Sequence, residues 1–250
     1  MTDLFWKKLN IFEKPFKLSN KYLNAIKYRI YRIQGIFWCK RRETDLKEAI
    51  KKITGSNFNI SFYEKFQREI AEAERKKNMC PIKMGGEGDL ELIYQLCEYI
   101  KARKIIETGV AYGWSSLTFL LSIHDREGAL LISTDLPYSQ ETAPYVGYVV
   151  PEELHEKWKI IKKPDKEALP EALKIMPEID MCYYDSDKTY EGRMFAYPLL
   201  WEALRKGGIF ISDDISDNLA FAKFAKNVNI EPIIVGGGRK YSGVLIKKSN

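Results

Sequence analysis

From Asp89 onward the chain alternates two patterns of apolar and polar positions. Short apolar runs that close on a polar or acidic residue are separated by stretches in which apolar residues recur at helical spacing. The runs opening at Lys104 and covering Ala129–Thr134, Trp158–Lys162, Asp180–Tyr184, Ile209–Ser212, Pro232–Val235 and Tyr241–Lys247 predict seven strands. Between them the spacing predicts helices. One is capped by Asp89 with Leu92, Ile93, Leu96 and Ile100 inward, and one starts at Ser115-Ser116 and carries Leu117, Leu120 and Leu121. A short one lies near Leu169–Lys174, one reaches Arg205 with Pro198 as its start or a kink, and one covers Asp217–Ala225. Such alternation implies an α/β, doubly wound, mostly parallel sheet covered by helices on both faces. Gly236–Arg239 predicts a tight connection between the last two strands, hence an antiparallel C-terminal edge hairpin.

Residues 1–80 read differently, as a helical extension. Tyr22, Ile26, Ile30, Ile33 and Phe37 recur at helical spacing, followed by Trp38 and Lys40-Arg41-Arg42. The preferred expectation packs this apolar face on the chain's own domain or on a second subunit, making a homo-oligomer. The alternative lays residues 1–42 on an anionic membrane surface. Further on, Ser61-x-x-Glu64 is a capping box, and Phe62, Phe66, Ile70 and Ala73 share one helix face. The expected division is 1–80 for the basic extension and 81–250 for the α/β domain.

Charge sharpens that division. Residues 1–52 hold fourteen Lys/Arg against five Asp/Glu, while the whole chain has 40 against 34, so the remainder has 26 against 29. The basic character belongs to the extension, and no nucleic-acid partner is expected for the main domain. No apolar run approaches a membrane span, and Met1–Lys8 lacks a signal-peptide core, so a cytoplasmic location is expected. Cys39, Cys80, Cys97 and Cys182 form no C-x-x-C pair and show no zinc spacing, which predicts reduced packing residues.

The candidate chemistry starts at Lys104–Ser116, KIIETGVAYGWSS. A strand ending in Glu107, a loop framed by Gly109 and Gly113, and a helix start at Ser115 together offer close backbone approach and free amide N–H groups. Ala111 stands where the dinucleotide fingerprint requires its second glycine. An acidic residue before the loop suits a ligand with a cationic centre, such as S-adenosylmethionine, and the competing reading of this motif alone is an ordinary βα turn. Asp135, at the tip of the second strand, is placed to accept both ribose hydroxyls, or else is a solvated strand end. Leu136–Pro151, rich in Tyr and Pro, is a long loop at the ligand-binding edge and a candidate lid. Asp185, Asp213 and Asp214 close the fourth and fifth strands. Carboxylates converging from two strands suit a hard divalent cation, and helix capping by Asp213 or Asp214 is the competing explanation.

ETGVAYGWSS, the terminal Asp135, DSDKTY and GGIFISDD occur in the order and approximate spacing of class I S-adenosylmethionine-dependent methyltransferases. Over about Lys83–Lys248 the chain most resembles the cation-dependent O-methyltransferases of the catechol, caffeoyl-CoA and macrocin type. The resemblance implies that Glu107, Gly109, Gly113 and Ser115 form the cofactor loop, Asp135 holds the ribose and Asp165 falls near the adenine. It implies Asp185, Asp213 and Asp214 as ligands of a divalent cation, Mg²⁺ by expectation, with Asp214 where the family usually has Asn. Lys188, three positions after Asp185, matches the catalytic lysine and works beside Asp185. The implied activity is methyl transfer from S-adenosyl-L-methionine to a hydroxyl of a small-molecule acceptor. An NAD-dependent oxidoreductase is the alternative enzyme, disfavoured by Val110-Ala111 and by the terminal hairpin. A catalytically idle fold that docks through its basic N-terminus is the alternative outside enzymes.

Overall fold

The computed structural model describes residues 20–236 and 240–248. Eight strands form one sheet: β1 (Glu43–Thr44), β2 (Lys104–Thr108), β3 (Leu130–Thr134), β4 (Trp158–Ile161), β5 (Ile179–Tyr184), β6 (Leu204–Ser212), β7 (Ile233–Gly236) and β8 (Tyr241–Ile246). Their order is β1-β7-β8-β6-β5-β2-β3-β4. All the pairings are parallel except those of β8, which runs antiparallel to both β6 and β7. The seven expected strands are present and the hairpin forms. Its reversed strand is not at the sheet edge as expected: β8 pairs with both β6 and β7 and so lies between them, and the extension adds the short β1 outside β7. Of the expected Gly236–Arg239 connection, residues 237–239 lie outside the described residues.

The central strands read as near-continuous apolar runs because both faces are covered. On one face Ile105, Leu131, Met181 and Ile209 pack with Leu92, Leu96, Leu117 and Leu120. These come from α5 (Leu90–Tyr99), capped by Asp89 on Leu92 N at 3.1 Å, and α6 (Trp114–Ile123). On the other, Ile106, Ile132, Cys182 and Phe210 pack with Leu169, Tyr197 and Phe221. Those residues belong to α7 (Asp165–Ile175), α8 (Tyr190–Ala203) and α9 (Ala220–Asn227). Pro198 sits inside α8, and β6 starts at Leu204, earlier than the apolar run suggests, carrying Gly207-Gly208 within it.

The extension contributes to the first of these layers. Ala49 and Ile50 of α2 (Leu46–Thr54), Phe62 of α3 (Phe62–Lys65), Phe66, and Ala73 of α4 (Gln67–Met79) join the cluster, with Phe62 and Phe66 stacked around Tyr94 at 5.5 and 5.6 Å. The capping box forms, with Glu64 N donating to Ser61 Oγ at 3.2 Å. The first helix, α1 (Asn20–Lys40), departs from expectation. Ile30, Ile33 and Phe37 are exposed, and α1 meets the domain through Gly35, Cys39 and Trp38 instead. A β-carbon on Gly35 would lie 2.2 Å from Ser216 O, so the missing side chain is what permits this contact. All four cysteines are free, and Cys39, Cys97 and Cys182 are buried.

Candidate active site

The sheet exposes its carboxyl-terminal edge to a cleft of about 870 Å³, a size that suits a nucleoside-bearing ligand. Its floor is the loop between β2 and α6. Gly109 and Gly113 both have positive φ, 80° and 94°. A β-carbon on Gly109 would come within 2.5 Å of Asp185 O, and one on Gly113 within 2.9 Å of Gly147 Cα. Glycine is therefore required twice, by conformation and by contact. Asp135 fixes the loop from the adjacent strand, its Oδ2 accepting from Val110 N at 2.7 Å and Ala111 N at 3.1 Å. Ala111, at φ 47°, is held by that contact in a conformation few L-residues adopt.

Gly109, Ser115, Asp135, Asp165, Asp185, Lys188 and Asp214 line the cleft together. Three of the expected residues stand behind it. Gly113 lies under the 147–150 segment, and Asp213 is 2% exposed with Oδ1 accepting from Ser242 Oγ at 3.0 Å. Glu107 is fully buried, and its Oε2 accepts from Ser116 Oγ at 2.5 Å and Ser133 Oγ at 2.6 Å. Burial pushes its carboxyl above the ordinary range, against the pull of the three serines Ser115, Ser116 and Ser133. Glu107 Oε1 and the indole N–H of Trp114, which lines the cleft, have no partner among the described residues. Of the two, only Trp114 lines the cleft, where a polar ligand could meet its N–H.

Asp165, the first residue of α7, accepts from Ser186 Oγ at 2.6 Å and Tyr184 OH at 3.4 Å, and burial raises its pKa. Across the cleft one oxygen from each of Asp185, Asp213 and Asp214 lies within 4.8 Å of the others. Lys188 Nζ is paired with Asp185 Oδ1 and lies 3.2 Å from Asp214 Oδ2, an ammonium where a cation would sit. The three carboxylates outweigh that single positive charge, and an all-oxygen donor set fits a hard cation. Asp214 has left-handed backbone angles, φ 48° and ψ 35°. Asn and Asp tolerate that region better than other residues with a side chain, which is consistent with Asp replacing the family's Asn there.

Some supporting residues carry no signal in the sequence. Arg193, fully buried in α8, donates from Nη2 to Asp214 O at 2.8 Å and Asp213 O at 3.3 Å, tying down the backbone of the carboxylate loop. Tyr112 OH donates to Ile82 O at 2.7 Å and accepts from Met84 N at 3.1 Å, holding Met84–Gly86 along the cleft wall. The long loop after β3 is partly built. It contains a turn of 3₁₀ helix at Ala143–Tyr145, and Gly147 N and Val149 N donate to Ala111 O and Tyr112 O. Tyr138, at its tip, is 80% exposed.

Residues 106–215, the span from β2 through the carboxylate loop, match a family described as Methyltransferase domain. Over that span the chain is similar to methyltransferase domains. Over 142 residues it is 28% identical to "Probable caffeoyl-CoA O-methyltransferase 1" of Dictyostelium discoideum, covering 56% of this chain and 59% of that protein. The match thus spans less than two thirds of that relative's length. Among solved structures, an O-methyltransferase from Bacillus cereus in complex with SAH aligns at TM-score 0.60 and 12% identity, over 74% of this chain and 96% of that one. The O-methyltransferase TomG from Streptomyces achromogenes, in complex with SAM, aligns at TM-score 0.54 and 12% identity, over 88% and 98%. At those identities the two structures establish the fold.

Proposed function

We propose that the protein is an S-adenosylmethionine-dependent O-methyltransferase acting on a hydroxyl of a small molecule. The observation that carries the reading is the meeting, at one sheet edge, of a glycine loop clamped by Asp135 with the cluster of Asp185, Asp213 and Asp214. In this reading the second oxygen of Asp135 would take the ribose hydroxyls, Ser115 at the start of α6 would face the methionine end, and Asp165 the adenine side, all three lining the cleft. Glu107, sunk beneath the loop, acts through the serines that shape it.

Bound in this cleft, S-adenosylmethionine supplies a methyl group on a positively charged sulfur. The transfer would break the S–CH₃ bond, leaving its electron pair on sulfur as S-adenosylhomocysteine, and form an O–CH₃ bond as the acceptor hydroxyl gives up its proton. Asp185, Asp213 and Asp214 would hold a divalent cation, Mg²⁺ by their chemistry, which supplies electrostatic polarisation of that hydroxyl. Lys188 is the residue assigned to receive the proton: its ammonium pairs with Asp185 and Asp214, and with a divalent cation on those carboxylates it would be displaced and favoured as the neutral amine that can accept a proton. Leu136, Pro137, Tyr138, Thr142 and Val146 of the loop after β3 line the same cleft and are assigned to shape the acceptor side.

Isothermal titration with S-adenosylhomocysteine tests the cofactor, and transfer of labelled methyl from S-adenosylmethionine to a panel of phenols and sugars tests the reaction. Binding of S-adenosylhomocysteine and no binding of NAD is the expected result. The opposite pattern would return the chain to the oxidoreductases.

A further inference from the structure

Helix α1 carries its apolar stripe on the side facing away from its own domain. Gly35 and Cys39 are buried against the body and Trp38 meets Phe221 edge-on at 6.4 Å. Ile30, Ile33 and Phe37, which share the opposite face by their spacing, are 49%, 54% and 62% exposed. Arg29, Lys40 and Arg41 are exposed along the margins of that stripe. The sequence from Lys14 to Arg42 contains no Asp or Glu, so no acidic side chain on α1 offsets these charges. Arg32 is turned to the body, 3.9 Å from Asp217.

An outward apolar ridge bordered by cations has two natural covers, a second copy of the chain or an anionic surface. Two copies joined through this face would bring their Arg29, Lys40 and Arg41 side chains together with no carboxylate on either helix to offset them. An anionic lipid surface satisfies the cations and buries the ridge at once. We propose that α1 docks the protein on anionic membrane surfaces, with Ile30, Ile33 and Phe37 in the interfacial layer and Arg29, Lys40 and Arg41 among the headgroups. The helix lies on the membrane and does not cross it, as no described helix is long and apolar enough to span. Its body side rests on the turn Ile215–Asp217, directly after Asp213-Asp214, so docking brings the rim of the candidate active site to the membrane. This inference stands on α1 alone and does not require the methyltransferase reading.

The test is sedimentation of the full chain with vesicles of phosphatidylcholine alone and of phosphatidylcholine mixed with phosphatidylglycerol. Binding to the mixed vesicles only, weakening as salt rises, is expected. Ile33→Asp with Phe37→Asp should lower partitioning by about a hundredfold. Arg29→Gln with Arg41→Gln should lower it by about tenfold or more. Both variants should keep the wild-type circular dichroism and thermal midpoint, because the altered side chains are exposed. No pelleting at low salt, equal binding to both vesicle types, or undiminished binding by the two variants would overturn the proposal. So would sedimentation equilibrium showing a dimer that Ile33→Asp with Phe37→Asp converts to monomer, since that result gives the face to a second copy.

Discussion

Removing the Asp135 carboxylate should damage the cofactor site in two ways. Its Oδ2 is the acceptor for Val110 N and Ala111 N, and its second oxygen is the proposed ribose ligand. Hydrogen bonds to a charged group are worth about 1.5–3 kcal/mol each. Losing one such bond to the ligand alone lowers affinity by about tenfold to a hundredfold, at 1.4 kcal/mol per decade. In Asp135→Ala the two loop amides also lose their acceptor, and Ala111 loses the contact that holds its positive φ, so the ligand must reorder the loop as it binds. The expected loss is therefore a hundredfold or more for Ala, roughly. Asp135→Asn, which keeps an oxygen for the amides, should lose less. Titration with S-adenosylhomocysteine measures both, and thermal unfolding of the free proteins separates loop damage from lost ligand contact. Asp135→Ala binding with wild-type affinity would remove Asp135 from the site and refute the reasoning.

Buried Glu107 has its pKa raised above the ordinary 4.5, so the folded state holds its proton more tightly than the unfolded one. Its contribution to stability is therefore full below that value and is lost as pH rises through the raised folded pKa. Glu107→Gln should accordingly gain in thermal midpoint relative to wild type on going from acid to neutral pH; a constant difference would count against it. Methyl transfer should stop in excess chelator and return with Mg²⁺ or Mn²⁺, and Asp213→Ala should show the same loss without chelator; full turnover in chelator would leave these carboxylates as structural groups. Lys188→Met should slow the chemical step by about 10²–10⁴ with cofactor affinity nearly unchanged, measured by single-turnover kinetics. A chain starting at Thr44 should fold with a lower thermal midpoint, having lost the Trp38 and Cys39 contacts, and keep its affinity for S-adenosylhomocysteine. One starting at Pro81 should fail to fold, because Ile50, Phe62 and Phe66 leave the core around Tyr94.

The sequence by itself determined seven of the eight described strands and the glycine loop, because these are local, while the two-residue β1 has no apolar run to announce it. A buried parallel strand must be an apolar run, and a loop that touches Asp185 and Gly147 backbone must place glycine at 109 and 113. It also named Asp135, Asp185 and Asp214, to which the family resemblance added Lys188, each within a few residues of a strand end, and parallel strands bring such ends to one edge. Only the tertiary structure decided which of the acids face the cleft. Glu107 and Asp213 are covered by Ser116, Ser133 and Ser242, partners from other elements that no spacing along the chain announces. Arg193 was unreadable for the same reason: an arginine inside an amphipathic helix looks like a surface charge until the carbonyls of Asp213 and Asp214 close over it. Helix α1 shows where periodicity stops. The repeat of Ile30, Ile33 and Phe37 correctly defines a face, but which face meets the body was settled by Gly35, whose lack of a side chain lets the backbone of Ser216 come close.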